Sequence, residues 1–228
     1  MGSADIEEDL APPLDVHQPK GWRAVEGISD IEALHRTDEW RNLYQLVQKD
    51  GLGLQNVPPA IRGDREMVAE ACWENGLALQ YAPEELRGDW EIVLCAVSRS
   101  GTALMWASPE LRGAREVVLK AVQQNGGSLE YASEELRSDR EIVLSAVQQR
   151  GMALRYASEA LKADREIVKA AARQSRRALM HAAESLKKDQ HFLREASSQP
   201  PMESSAPPPV GKPSVGSKRD MSQYGPGL

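Results

Sequence analysis

The sequence predicts an all-α protein, a right-handed-type helical-repeat solenoid of about six 25-residue units that is flanked by disordered tails. Three observations support this fold class. The segment DREIVLSAVQQRGMALRYASEALKA, which begins at Asp139, recurs along the chain with a step of 25 residues and no insertion. Its apolar residues have helical spacing, and a glycine divides each copy in two. A fixed period in the range of 20–50 residues is typical of arrays whose units bury their apolar faces against one another.

The repeat also sets the expected domain organisation. The units begin at Glu39, Asp64, Asp89, Ala114, Asp139 and Asp164, with a partial one from Asp189; we number them repeats 1 to 7. We expect the array to span residues 29–196. It follows an acidic disordered N-terminal segment, residues 1–28, and precedes a Pro/Ser/Gly-rich disordered tail, residues 197–228.

The first half of each unit predicts a helix of about eleven residues. In the unit from Asp139, the aspartate fits an N-cap, whose carboxylate accepts hydrogen bonds from free backbone N–H groups. Asp64, Asp89 and Asp164 have the same position. Apolar residues at the fourth, fifth, eighth and ninth positions form one helical stripe. A glycine follows, where we expect a positive φ to end the helix; the glycines are Gly51, Gly76, Gly101, Gly126 and Gly151.

The second half, ALRYASEAL in the unit from Asp139, predicts two short helical pieces. Leucine and alanine columns have spacings of three and four residues, which are helical. Proline or serine follows the second alanine column, and both residues are typical of a helix start. We therefore expect a break near Ser133 and its equivalents. The alanine columns indicate that neighbouring helices approach closely.

The motif Asp-Arg-Glu-Ile-Val, followed by Ala-Val, Gly, Ala-Leu and Tyr-Ala-Ser-Glu-Glu-Leu-Arg, resembles a known helical-repeat family. That family is the domain of unknown function four-one-one-six. The resemblance covers about residues 64–186 and implies a repeat architecture without catalytic residues that map onto this sequence. It weakens at the ends, where Arg176 replaces the glycine and where Asn56 and His181 replace the aromatic residue.

No motif in the sequence indicates catalysis, a cofactor or a metal. The histidines, His17, His35, His181 and His191, lack a cysteine or second histidine at metal-ligand spacing. Cys72 is expected to be a small buried residue and Cys95 a surface thiol. We expect no cofactor, no membrane-spanning segment and, for want of a targeting signal, a cytoplasmic location.

Two sets of side chains are candidates for a role in binding. The aromatic ladder, one residue per unit, comprises Tyr81, Trp106, Tyr131 and Tyr156. It is interpreted as inter-repeat core, with a lined peptide groove as the alternative. A nucleic-acid site with one base per unit would need a basic groove beside the ladder, and the middle units lack one. Trp40, Trp73 and Trp90 occupy columns that are polar in other units; they mark a partner contact or, for Trp40, a cover for the first unit.

Charge is distributed unevenly along the chain. Residues 1–38 carry nine acidic and three basic side chains, whereas residues 164–188 carry seven basic and three acidic ones, among them Arg173, Arg176 and Arg177. This polarity favours an acidic partner at the rear or head-to-tail homo-oligomers, with a solvated capping face as the alternative. The net charge of −6 does not favour nucleic acid.

These observations predict a non-enzymatic protein–protein interaction scaffold that uses the exposed columns of the array. The alternative is a passive structural subunit or spacer in a larger complex, and an enzyme of unrecognised type is the third hypothesis. The sequence does not identify the protein partner.

Overall fold

A computed structural model describes residues 35–198 of the chain. These residues form helices joined by turns, with no strand among them, and successive helices repeat the same neighbour contacts. The predicted all-α repeat array is confirmed. The expected disordered segment 1–28 and residues 199–228 of the expected tail lie outside the described residues. The last helix runs to Ser198, two residues beyond the predicted end of the array.

Each repeat opens with a long helix. The long helices span Asp38–Lys49, Arg65–Glu74, Trp90–Arg99, Arg115–Gln124, Arg140–Gln149 and Arg165–Gln174, and Gln190–Ser198 opens the partial seventh unit. Those of repeats 2 to 6 have 10 residues each, close to the predicted length. The first has 12 residues, because Thr37 caps it and accepts a hydrogen bond from the Trp40 N–H at 3.1 Å.

The predicted aspartate caps are confirmed. Each carboxylate accepts hydrogen bonds of 2.8–3.1 Å from backbone N–H groups in the first turn; the residues are Asp64, Asp89, Asp139 and Asp164. Such a cap stabilises a helix by about 0.5–2 kcal/mol relative to alanine. Ala114 provides no side-chain cap in repeat 4.

The second half of each repeat consists of two pieces, as predicted. A 3-10 helix comes first, over Gly51–Asn56, Gly76–Tyr81, Gly101–Trp106, Gly126–Tyr131, Gly151–Tyr156 and Arg176–His181. A short helix follows, over Pro59–Arg62, Glu84–Arg87, Pro109–Arg112, Leu136–Ser138, Glu159–Lys162 and Glu184–Lys188. The break between the pieces falls at the alanine–serine step, where extended backbone at Ala132 separates them.

The glycine that follows the long helix does not have the predicted positive φ. A Cβ atom built on Gly101 would overlap the carbonyl oxygen of Ala121 in the next repeat, and the other four glycines stand in the same way against Ala71, Ala96, Ala146 and Ala171. The expectation of a left-handed helix stop was therefore wrong. The column is glycine because the backbones of successive repeats approach too closely for any side chain.

The core is one continuous cluster that all repeats share. In repeat 5 the predicted stripe, Ile142, Val143, Ala146 and Val147, is fully buried, and repeats 2, 3, 4 and 6 bury the equivalent positions. Long helices pack against the long helices of adjacent repeats, and 3-10 helices pack against the next 3-10 helices. Each repeat thus completes the core of its neighbour, which is the property expected of a solenoid.

Backbone hydrogen bonds tie neighbouring repeats together at the short helices. The Ser108 N–H donates to the Arg87 carbonyl oxygen at 2.9 Å, and the same bond recurs at Ser133, Ser158 and Ala183. Pro83 occupies this column in repeat 2 and has no N–H group to donate. Within the described residues, the junction between repeats 1 and 2 therefore has no such bond.

Candidate interaction surfaces

A ladder of ion pairs crosses the junctions at the start of the long helices. The arginine at the second position of one repeat pairs with the aspartate that caps the next. The pairs are Arg65–Asp89 at 2.8 Å, Arg115–Asp139 at 3.6 Å, Arg140–Asp164 at 3.3 Å and Arg165–Asp189 at 3.0 Å. The arginine side chains are about half exposed, so solvent screening keeps the contribution of each pair to stability small. The spacing of 24 residues between the two columns was the sequence signal for this ladder.

The ion pairs and the caps together stabilise the charged form of Asp89, Asp164 and Asp189. A hydrogen bond from the Phe192 N–H, supported by the Arg165 guanidinium, lowers the pKa of Asp189 against the opposing effect of desolvation. At Asp164, desolvation opposes ionisation, but the N–H groups of the first turn and the Arg140 side chain outweigh it and lower the pKa. These carboxylates therefore stabilise both the start of a long helix and its junction with the preceding repeat.

Trp90 and Ala114 are a matched exception to the ladder of ion pairs. Trp90 takes the arginine position of repeat 3, and the next repeat, where its partner aspartate would stand, has Ala114 instead. Both side chains are half-buried and pack against the core. The Trp90 Nε1 atom is buried without an acceptor among the described residues. Trp90 therefore replaces an ion pair with an apolar contact, which indicates a role in the junction as well as at the surface.

Trp40 is buried and has only 8% of its surface exposed. Its ring lies between His35 and Tyr44, with centroid distances of 4.4 Å and 4.6 Å. In place of the missing arginine, His35 Nε2 lies 2.7 Å from the Asp64 carboxylate. These contacts favour the interpretation of Trp40 as a cover for the first repeat, and they leave little of the ring for a partner.

Trp73 lies near the end of its long helix, whereas Trp90 is the first residue of the next one. The two tryptophans are therefore at opposite ends of adjacent helices and do not form a single patch. The Trp73 ring is half-exposed. The Arg99 guanidinium lies 5.0 Å from its centroid, and Arg99 Nε donates to the Trp73 carbonyl oxygen at 2.7 Å. This contact holds the ring at the surface.

The three rear arginines lie around the end of the long helix of repeat 6. Arg173 shares the column of Trp73 and is half-buried, with an Nε atom that has no acceptor among the described residues. Arg176 and Arg177 open the following 3-10 helix and are exposed. The side chains at this end of the array are therefore cationic.

The aromatic ladder is half-buried. Its four rings pack against the core and keep part of their surface exposed. At Tyr156 the hydroxyl group donates to Glu130 of the preceding repeat at 2.6 Å, and the Arg155 guanidinium lies 4.3 Å from the ring centroid. Tyr156 also lines two open cavities, of about 190 Å³ and about 340 Å³. The ladder thus serves the core and borders a surface furrow.

The cysteines belong to the interior. Cys72 and Cys95 are both buried, so the expected surface thiol at Cys95 was wrong. Burial raises the pKa of the Cys72 thiol, which disfavours the reactive thiolate.

Within residues 35–198, we found no cluster of three or more His, Cys, Asp or Glu side chains arranged to bind a metal. Nor does this part of the chain contain a helix with the length and apolar character that a membrane span requires.

Comparison with known proteins identifies one family. The model of that family, described as domain of unknown function (DUF4116), matches residues 74–112 and 115–162. No curated protein and no solved structure matches the sequence. The two matches fall within the segment that carries the repeated motif and agree with the helical array. The central repeats of this chain are thus similar to the DUF4116 family over these two segments.

Proposed function

We propose that this chain is a non-enzymatic protein–protein interaction scaffold whose partner binds the exposed columns of the array. One observation carries the proposal. The residue before the aromatic-ladder position lies in the same backbone setting in successive repeats, but its side chain differs between them. The residues are Gln80, Met105, Glu130, Arg155 and Met180. Met105 and Met180 are 40% and 63% exposed. A constant frame that presents variable exposed side chains is suited to recognition of one partner.

Trp73 supports the same role. It is a half-exposed aromatic residue in a column that is otherwise polar, and aromatic and arginine side chains are over-represented at binding hot spots. The contact with Arg99 orders the ring before any partner arrives, which reduces the entropy lost on binding. Arg173, Arg176 and Arg177 extend the candidate surface toward the rear, where an acidic partner surface is complementary.

Affinity capture from native extract tests the proposal. The bait is the full chain, and the test variant is Trp73→Gln, which restores the residue type of three other repeats. The matched control is Lys120→Gln, which changes an exposed side chain that is not a candidate contact and leaves Trp73 and Trp90 intact. We expect the control to recover the same partner as the native chain and the Trp73 variant to lose it. Unchanged recovery with Trp73→Gln would rule out this surface.

The second candidate is a passive structural subunit that assembles head to tail. Leu46 favours it, because this apolar residue is 41% exposed on the first repeat, at the column where later repeats pack against a preceding one. Light scattering at low and high salt distinguishes the candidates: salt-sensitive oligomers favour self-assembly, and a monomer favours the scaffold. A metal or a turnover activity that persists through purification would instead revive the hypothesis of an enzyme.

A further inference from the structure

Every repeat carries a basic side chain six residues after its ladder position. This basic column comprises Arg62, Arg87, Arg112, Arg137, Lys162 and Lys187. Glutamates on the same short helices keep the net charge of the middle repeats low, so the column is hidden when charge is summed over a repeat.

The structure places the basic column next to the ladder. Arg137, Tyr156 and Lys162 line the open cavity of about 340 Å³. The ring of repeat 5 therefore borders a space that it shares with the basic residue of its own repeat and with that of the preceding repeat. Because the same backbone hydrogen bonds recur at successive junctions, the equivalent side chains of the other repeats have the same register.

His181 gives independent support one repeat further along. Burial and then the positive charges of Arg155, Lys162 and Lys187 lower the pKa of His181. The ladder residue of repeat 6 therefore also lies close to its own basic residue, Lys187, and to that of the preceding repeat, Lys162. Rings and cations follow one another along the array.

Within the described part of the chain, three arginines of the basic column keep a buried N–H donor without an acceptor, although Arg137 already pairs with Glu134, whose Oε1 atom lies 3.6 Å from Arg137 Nη2. Arg87, Arg112 and Arg137 are half-buried, and their Nε atoms have no acceptor among the described residues. Arg62 differs, because its Nε and Nη2 atoms both donate to the Val57 carbonyl oxygen, at 3.0 Å and 2.9 Å. A buried donor without an acceptor is costly. The other guanidinium N–H groups of these side chains are the donors that an acceptor at the surface could reach.

We infer that the furrow between the aromatic ladder and the basic column binds an extended acidic segment of a partner protein, with one carboxylate per repeat. This inference rests on the proposed scaffold function and names the chemistry of the partner. Guanidinium groups bind carboxylates in a planar, two-pronged geometry. The exposed ring edges provide apolar contact for the aliphatic parts of the peptide.

The repeat sets the spacing of the carboxylates. Packed helices lie about 8–10 Å apart, and a peptide in the polyproline II conformation advances about 3.1 Å per residue with three residues per turn. One repeat therefore corresponds to about three peptide residues, and every third side chain of the peptide faces the array. The partner segment has an acidic residue at every third position.

Acidic neighbours of the basic column favour a peptide over a nucleic acid. Glu159 pairs with Lys162 at 2.8 Å, and Glu184 pairs with Lys187 at 2.7 Å. These glutamates are largely exposed and would repel a dense phosphate backbone along its whole length. A peptide with separated carboxylates can instead place one carboxylate against the basic residue of each repeat.

Fluorescence polarisation with the full chain tests the inference. The probe is a fluorescein-labelled peptide of about 18 residues, enough to pass six repeats, with glutamate at every third position and serine and glycine between. The control peptide has the same composition with its glutamates clustered at one end. We expect the spaced peptide to bind more tightly than the clustered one, and its affinity to fall as the salt concentration rises from about 0.05 M to about 0.5 M.

The protein variant replaces Arg87, Arg112 and Arg137 by glutamine, which removes charge and keeps most of each stem. We expect the affinity for the spaced peptide to fall by about tenfold, since three partly exposed ion pairs are lost. The matched control replaces the exposed Lys49, Lys120 and Arg194 by glutamine and should leave the affinity nearly unchanged. Circular dichroism verifies that both variants fold.

Three results would overturn the inference: equal binding of the two peptides, equal loss in the two triple variants, or tighter binding of a single-stranded oligonucleotide of equal charge. A failure of the acidic-segment inference can be distinguished from a failure of the proposed scaffold function by the capture experiment with Trp73→Gln. Trp73 lies outside the aromatic ladder and the basic column, so that experiment does not depend on them. Partner capture that depends on Trp73 while the spaced peptide fails to bind would leave the scaffold intact and exclude the acidic segment.

Discussion

Two glycines of this chain illustrate how space between repeats determines which side chains fit. Gly101 faces the backbone of repeat 4, whereas a Cβ atom at Gly63 would meet nothing within 4 Å. Neither residue has a positive φ, so the difference between them is one of contact. Arg176, at the same column as Gly101 in repeat 6, is exposed. The close approach therefore belongs to the interior junctions.

The two glycines should respond in opposite directions to the same substitution. Gly101→Ala is expected to lower the free energy of unfolding by about 1–3 kcal/mol, because the backbones must separate. Gly63→Ala, the matched control, should leave it unchanged or raise it by about 0.4–1 kcal/mol, because the unfolded chain loses entropy. Urea denaturation followed by circular dichroism measures both. If Gly101→Asn were tolerated better than Gly101→Ala, a left-handed glycine would be the correct explanation after all.

Ser128 is another residue whose contribution to stability depends on its surroundings. It is fully buried, its Oγ atom has no partner among the described residues, and other repeats have alanine at this column. Ser128→Ala should raise the free energy of unfolding by about 1 kcal/mol, because a buried unsatisfied hydroxyl group is removed. Ser98 is the control, since its hydroxyl group donates to the Leu94 carbonyl oxygen at 2.7 Å. A gain at Ser98→Ala equal to that at Ser128→Ala would contradict the argument.

At the scale of elements, the sequence was sufficient to predict the long helices, their aspartate caps and the break in the second half. Those features depend on local patterns, such as Asp139 before an apolar stripe. The 3-10 geometry of Gly151–Tyr156 was not predictable in the same way. Runs of 3-10 helix longer than three to four residues are uncommon, and this one is held by packing against its own long helix and the next.

The surfaces were predicted less completely than the helices. Departures from the repeat pointed to Trp40, Trp73 and Trp90, but only the structure separates a buried cover from a half-exposed ring. The basic column was missed because it never departs from the repeat. Residues that depart from the repeat do not reveal a feature that the units share. In addition, the aromatic ladder and the basic column are adjacent only because of contacts between repeats, which the sequence does not show.

The aspartate caps should make the long helices sensitive to acid. The pKa values of Asp89, Asp164 and Asp189 are lowered in the folded chain. Their contribution is present above the unfolded pKa and is lost as the pH falls through the folded one. The free energy of unfolding should therefore be nearly constant near neutral pH and fall below about pH 4.

The variant Asp89→Asn with Asp164→Asn tests this assignment. Asparagine still caps a helix, but it cannot titrate or pair with Arg65 and Arg140. We expect lower stability than the native chain at pH 7 and a smaller further loss between about pH 5 and about pH 3. Thermal melts over this pH range measure both effects. Parallel losses in the two proteins would show that other carboxylates govern the acid transition.

At the scale of the whole molecule, the junctions are nearly interchangeable, because each repeat offers its neighbour the same backbone contacts. The exceptions come in matched sets, such as Trp90 with Ala114 and His35 with Asp64. The array therefore combines a uniform frame with junction-specific side chains. Removing a unit should be tolerated only where the new neighbours still match.

Two deletions of equal length test this property. Removal of residues 139–163 would bring Arg115 next to Asp164, which reproduces the normal ion pair, whereas removal of residues 89–113 would bring Arg65 next to Ala114. We expect both shorter chains to remain helical and the first to melt at the higher temperature. Ala114→Asp in the second shorter chain should raise its melting temperature by supplying both the cap and the partner for Arg65.

The rescue distinguishes a mismatched junction from the mere loss of a unit. In the full chain, Ala114→Asp also supplies a cap but meets Trp90 instead of an arginine, so the gain should be smaller. Equal gains in the full and shortened chains would mean that capping alone accounts for the effect.

Pro83 leaves repeats 1 and 2, within the described part of the array, without the hydrogen bond between main chains that joins each later pair of units at the short helices. Side-chain contacts can slide by fractions of an ångström that a backbone hydrogen bond does not allow. Repeats 1 and 2 can therefore change their relative orientation more easily than the later repeats can. A partner that binds both ends of the array could adjust its curvature at this junction while the later junctions keep their geometry.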